Sequence, residues 1–230
     1  MRALKSLVSI VAALLFFTGH SSAATHSIEP DNYAEGAVLN DVHPLVELRI
    51  YDGVLRDDFP NDFGMFPDPD VIPVTANEND DIFGGYFTST GTKSFGHANI
   101  AFFPESRQLA MRFLAPTTDV SVDFIGTSTL AEQVGVLEIF NAQGDLLDTF
   151  TSGPLLTHKI ATLSLSRAAG DIGYARAFSS HDASPFGALD NLRFTTIPEP
   201  AAGILAMVAA MLIAVLPGGR RQRQIGRGEI

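Results

Sequence analysis

Oxygen ligands crowd one stretch of this sequence. Asp57, Asp58, Asp62, Asp68, Asp70, Asn77, Asn79, Asp80 and Asp81 offer the carboxylate and amide oxygens that Ca²⁺ gathers in sixes to eights. Asn77, Asn79 and Asp81 alternate as the opening ligands of a calcium-binding loop do. Ile82, however, stands where that loop needs its glycine, and Thr88 where it needs its final glutamate. Two readings follow. One is a calcium site drawn from Asp68, Asp70, Asn77, Asn79 and Asp81. The other is a solvated acidic loop, and it is preferred because the spacing does not close a coordination sphere.

Other chemistries find less support. The run from Gly85 to Ser94 (GYFTSTGTKS) has the composition of a phosphate-cradling loop, but Thr92 separates Gly91 from Lys93 and no helical pattern follows, so a turn is expected there. His26, His43, His97, His158 and His181 form no close ligand pair, and no G-x-S-x-G elbow is present. Asp123, Glu138, Asp182 and Asp190 could include a glycosidase pair, but the abundance of carboxylates makes such a choice uninformative. Asp190-Asn191 reads as turn or strand-end chemistry, and Arg49, Arg112, Arg176 and Arg193 read as the wet faces of strands. The absence of cysteine removes disulfides, thiolate metal sites and a cysteine nucleophile. The absence of tryptophan lowers the expectation of a flat sugar-stacking platform. No catalytic residue is assigned and no cofactor is expected beyond the calcium alternative.

The ends of the chain explain where such a protein works. Residues 1–23 place Arg2 and Lys5 before an apolar run from Leu7 to Phe17 and small residues from Ser21 to Ala24, the pattern of a signal helix removed by signal peptidase. Residues 197–230 read Ile197-Pro198-Glu199-Pro200, then an apolar stretch at 201–216, then Arg220, Arg221 and Arg223. Each proline removes a backbone donor and biases the preceding residue towards extended geometry, so the helix is expected to begin after Pro200. The stretch is short for a bilayer, but Pro217–Gly219 add length and the arginines can snorkel. Those arginines form a stop-transfer cluster that keeps the tail cytoplasmic and the main domain across the membrane.

This order of signal peptide, Pro198, Glu199 and Pro200, apolar helix and arginines resembles the PEP-CTERM sorting domain of Gram-negative bacteria that make exopolysaccharide. The resemblance covers about 30 residues and implies recognition by an exosortase, with cleavage near the Pro-Glu-Pro segment. It departs from the family pattern at Ile197, where valine is common, and in the sequence QIGRGEI beyond the arginines.

Without its ends the chain keeps nine basic and 24 acidic side chains, a net charge near −15 that repels nucleic acid and anionic lipid and keeps a secreted domain soluble. The elements expected there are strands. Period-two alternation, such as Val120, Val122 and Phe124 against Asp119, Ser121 and Asp123, marks candidates at 98–103, 107–114, 119–125, 134–140, 145–151, 159–166, 171–178 and 188–195. Leu45–Tyr51 adds one more, and Asn141–Asp145 carries hairpin-turn chemistry. Residues 57–79 are expected to be an irregular loop or decorated edge, with Phe59, Phe63 and Phe66 as anchors. The fold class expected is an all-β antiparallel sandwich or jelly roll. Its N-terminal part is 24–94, its core is 95–196, and "LDNLRF" is its closing strand. The terminal strand leading into Pro-Glu-Pro also resembles the sandwich domains that precede such tails.

The function expected is that of an exported, non-enzymatic surface or extracellular-matrix protein associated with exopolysaccharide or biofilm. The alternative is an exported carbohydrate-binding module or polysaccharide-active hydrolase.

Overall fold

The computed structural model describes residues 23–51, 73–78, 86–97, 100–180 and 186–197. Among these described residues ten strands follow in chain order: β1 (Ala24–Ile28), β2 (Val46–Tyr51), β3 (Val74–Glu78), β4 (Lys93–His97), β5 (Gln108–Ile125), β6 (Gly135–Phe140), β7 (Leu146–Thr151), β8 (Ile160–Ser166), β9 (Ile172–Ser179) and β10 (Ala188–Thr196). One 3₁₀ turn, Pro30–Asn32, lies after β1. Every strand pair is antiparallel, as alternating apolar and polar positions require of a sheet with one buried face. No helix among the described residues is long and apolar enough to cross a membrane, and both terminal segments expected to be helical lie outside them.

Strand β5 organises the rest. Its first part, Leu109–Arg112, pairs with β2 on one edge and β9 on the other, and β9 continues through β6 to β7. Its last part, Asp119–Ile125, pairs with β10 and β8, and β10 carries β1 beyond it. The register shifts between Arg112 and Thr117, where Pro116 cannot donate to a ladder. One long strand therefore belongs to two layers. Leu48, Leu109, Met111, Leu137, Ile139 and Ala175 from one arm share a single core with Val120, Val122, Phe124, Leu163, Leu189 and Phe194 from the other. This is an antiparallel β-sandwich held by apolar burial between its layers.

Several strands depart from the sequence expectation. The runs 107–114 and 119–125 are one continuous strand, because Pro116 marks a bend rather than an end. Of the run 98–103, residues 100–103 are described, and they form no strand: Ile100 makes only an isolated bridge to His97. Strands β1, β3 and β4 were not expected. The acidic stretch thus ends in β3, which pairs with β4 as a separate two-stranded sheet, while Phe59, Phe63 and Phe66 lie outside the described residues. β10 does not close an edge, since β1 flanks it, with Ala24 opposite Thr196. Strands from 24–94 and 95–196 therefore share one sheet.

The hairpin at Asn141–Asp145 forms as its composition requires: the Asn141 side-chain oxygen accepts from the Gln143 and Asp145 amides, both at 2.9 Å. A bulge between Asp190 and Arg193 turns β10 by one position, with Asn191 at φ 53°. Leu189, Leu192 and Phe194 all face the core as a result, although strict alternation would expel one of them.

Phe124 lies at the centre of this packing, wholly buried between two glycines. A Cβ on Gly135 would stand 2.4 Å from its ring, and one on Gly187 would stand 2.2 Å from the ring's far edge. We expect Gly135→Ala and Gly187→Ala each to cost about 1–3 kcal/mol through overpacking. Their combined effect should be less than additive, because both press on one side chain. Chemical denaturation of the two single variants and the double variant checks this.

Candidate functional site

Two tight turns and Phe186, two residues before β10, build a cleft. In the first turn the His97 and Ile100 amides and carbonyls exchange hydrogen bonds of 2.7 and 2.8 Å; in the second the Arg107 amide donates to the Pro104 carbonyl at 2.9 Å. Between them the Phe103 amide donates to Gly187 O (3.0 Å), and Phe103 O accepts from the Ser179 amide (2.7 Å), which fixes the segment to β9 and β10. The cleft encloses about 250 Å³ and is lined by His97, Ile100, Phe102, Pro104, Ser106, Arg107 and Phe186.

Its walls are largely apolar. The Phe102 and Phe186 rings meet edge to face, 6.0 Å apart at 68°, and Phe87 supports Phe102 from behind at 6.3 Å. Phe186 remains 54% exposed and Ile100 40%, so this apolar corner opens to solvent. His97, by contrast, is buried. Its Nε2 lies 2.9 Å from the Phe102 carbonyl, which can only accept, so that nitrogen carries the proton. Burial, reinforced by the field of Arg107, lowers the His97 pKa and keeps the ring neutral. Its Nδ1 is then an acceptor, buried and without a hydrogen-bond partner among the described residues. Sequence reasoning missed this site because the residues at 97–107 form no recognised chemical motif and Phe186 joins them only through the fold.

The suspected phosphate loop is engaged by carboxylates of its own chain. Asp190 Oδ2 accepts from the Ser89 amide (2.8 Å), the Ser89 hydroxyl (2.9 Å) and the Thr90 amide (3.3 Å). Asp31 Oδ1 accepts from the amides of Thr92 (2.9 Å) and Lys93 (3.1 Å), and Thr90 donates to Glu29. Gly91 is required here: its φ is +51°, and a Cβ would strike the Asp31 carboxylate at 2.2 Å. The turn expected at this place is thus a latch, with its donors consumed internally.

Asp190 and Asn191 lie buried inside β10 at its bulge rather than at a strand end, Asp190 holding the Ser89–Thr90 turn and Asn191 donating to Asp123. Asp123 is buried too, contrary to its expected wet position. Its Oδ1 accepts from Thr162 (2.6 Å), its Oδ2 from Asn191 (3.2 Å), and Arg193 stands 3.9 Å away. The other strand arginines take carboxylate partners on the outer faces: Arg112 with Glu47 at 3.5 Å, Arg176 with Glu138 and Arg49 with Asp41 at 3.0 Å. Asp182 and His181 lie outside the described residues.

Of the five residues of the calcium alternative, Asn77 alone is described. It sits within β3, 4% exposed, with its amide pressed over Gly96. Asp68, Asp70, Asn79 and Asp81 lie outside the described residues, as do Pro198, Glu199, Pro200, Arg220, Arg221 and Arg223. Among the described residues no group of three or more His, Asp or Glu is placed to hold a metal. His26 and His43 do meet, their rings 4.9 Å apart, beside Phe194. Both are engaged, however: His26 Nε2 bonds the Thr196 hydroxyl (3.1 Å), and His43 Nδ1 accepts from the Leu45 amide (3.2 Å).

No protein-family model and no curated protein matches the sequence. Among solved structures, the chain is similar to a family 29 carbohydrate-binding module from Piromyces equi, with a TM-score of 0.38 and 8% identity over 76% of this chain and 91% of that one. It is also similar to the C-terminal family 22 carbohydrate-binding module of Clostridium thermocellum Xyn10B (TM-score 0.34, 14% identity, 74% and 96% of the two chains). A third likeness is to the cleaved adhesin domain of Lys-gingipain from Porphyromonas gingivalis (TM-score 0.33, 11% identity, 76% and 99%). Likeness at this level carries no argument about ligand or activity.

Burial raises the Asp190 pKa to about 6, aided by the nearby Glu29 charge and opposed by the Ser89 and Thr90 donors. The native protein therefore holds a proton that the unfolded chain releases at its ordinary carboxylate pKa. Asp190's contribution to stability is fully present below about pH 4 and is lost as pH rises through about 6, a change on the order of 3 kcal/mol. Denaturant titrations across this window should show Asp190→Asn losing that part of the pH dependence.

Proposed function

We propose that this chain is an exported, non-enzymatic surface or extracellular-matrix protein, delivered through its C-terminal signal and resident in an exopolysaccharide layer. The observation that carries the reading is where the signal starts relative to the fold. β10 ends at Thr196, the Ile197 amide still donates to the Pro116 carbonyl at 2.9 Å, and Pro198-Glu199-Pro200 follows at once. The described hydrogen bonding of the sheet thus reaches the residue just before the signature, which supports a sorting segment that follows the domain directly in sequence.

In this reading signal peptidase removes residues 1–23. The helix at 201–216 then holds the chain in the inner membrane, with Arg220, Arg221 and Arg223 on the cytoplasmic side, until an exosortase acts near Pro198–Pro200. The domain then passes to the cell surface or matrix of a Gram-negative bacterium. A structural role accords with the carboxylates: Asp190 and Asp123 are closed off by hydrogen bonds, and Glu138 is paired with Arg176 in the other arm.

A second reading, a carbohydrate-binding module, is favoured by the cleft, where solvent-facing aromatic rings lie beside directed polar groups. A hydrolase has no comparable observation behind it.

Intact-mass analysis of the protein recovered from its host tests delivery. The wild type should lack residues 1–23 and the 201–216 segment, while a variant with Pro198, Glu199 and Pro200 replaced by alanine should keep that segment. Retention of the full tail by both would make it a plain membrane anchor.

A further inference from the structure

We propose that the cleft lined by His97, Phe102, Ser106, Arg107 and Phe186 binds a single carboxylated sugar unit, a uronate, of an acidic polysaccharide. The inference rests on the binding-module reading and supplies its site and ligand class.

Size sets the first limit. At about 250 Å³ the cleft falls just below the range of about 300–1,000 Å³ that takes drug-sized ligands, so it suits one ring rather than a chain. The apolar corner of Phe102 and Phe186 offers a pyranose the surface against which its C–H face loses water.

The polar groups then select among rings of that size. His97 lines the cleft as a neutral ring, its Nε2 proton held by the Phe102 carbonyl, so it adds no competing charge beside Arg107. Ser106 can donate or accept. Arg107 supplies a fork of donors that fits a carboxylate bidentately, and no described carboxylate is paired with it, although Arg49, Arg112, Arg167, Arg176 and Arg193 each have one.

An unpaired arginine beside aromatic rings is conspicuous in a domain of net charge near −15. The surrounding field opposes a polyanion, so recognition depends on this local cation.

The test uses the full-length chain in detergent, titrated calorimetrically with glucuronate and galacturonate and with glucose and galactose as neutral counterparts. The wild type should prefer the uronates by about ten-fold or more. Arg107→Gln should lose that preference, and Phe186→Ala should weaken both classes, each with an unchanged melting temperature. Uronate binding unaffected by both variants, or equal affinity for the neutral sugars, overturns the proposal while leaving a binding module in place. Absence of any binding here and on an array of neutral and acidic glycans overturns the binding-module reading as well.

Discussion

The interlayer burial of β5 is the constraint on which the rest of the structure depends. A strand of 18 residues can serve two layers only if its inward side chains are apolar on both sides of the bend. Leu109 and Met111 meet this need in one arm, and Val120, Val122 and Phe124 in the other, all fully buried. At roughly 25 cal/mol per Å² of apolar surface, these side chains supply much of the cohesion a chain without disulfides needs. The outer faces are then free to carry the cross-strand ion pairs and the acidic surface.

The same constraint explains what the sequence made legible. Alternation around Val120–Phe124 and the turn residues Asn141–Asp145 were readable because their signals are local. The sandwich class followed from the rhythm of such runs. β1 escaped notice because ATHSI is polar and mostly exposed, and it becomes a strand only by pairing with residues far along the chain. β3 and β4 were hidden by the surrounding Asp, Asn, Gly and Ser, whose turn preferences are real but are overruled by pairing. Asp123 looked wet because alternation reports which face a residue takes. It does not report that Thr162 and Asn191 of the neighbouring strands cover that face.

Sites were harder to read than strands. The run around Ser89 to Lys93 reads as a turn, but not as one whose donors are taken up by Asp31 and Asp190 of the same chain. The cleft offered no signal at all: a histidine becomes informative there through one tautomer and one unmatched nitrogen, and these exist only after folding. The acidic stretch is an example of the opposite kind. Its composition is vivid, yet of its five calcium-candidate residues only Asn77 is described.

One feature of the sheet bears on how the protein is made. β1 is the first strand of the domain and β10 the last, and they lie side by side with Thr25 opposite Thr195, while β10 also fills the space between β1 and β5. A chain threaded from its N-terminus cannot complete this arrangement until residue 196 has emerged, because the strand that joins the first edge to the centre arrives last. Closure across such sequence separation makes for slow, late folding. The first edge strand is therefore joined to the centre of the sheet only when the last strand pairs.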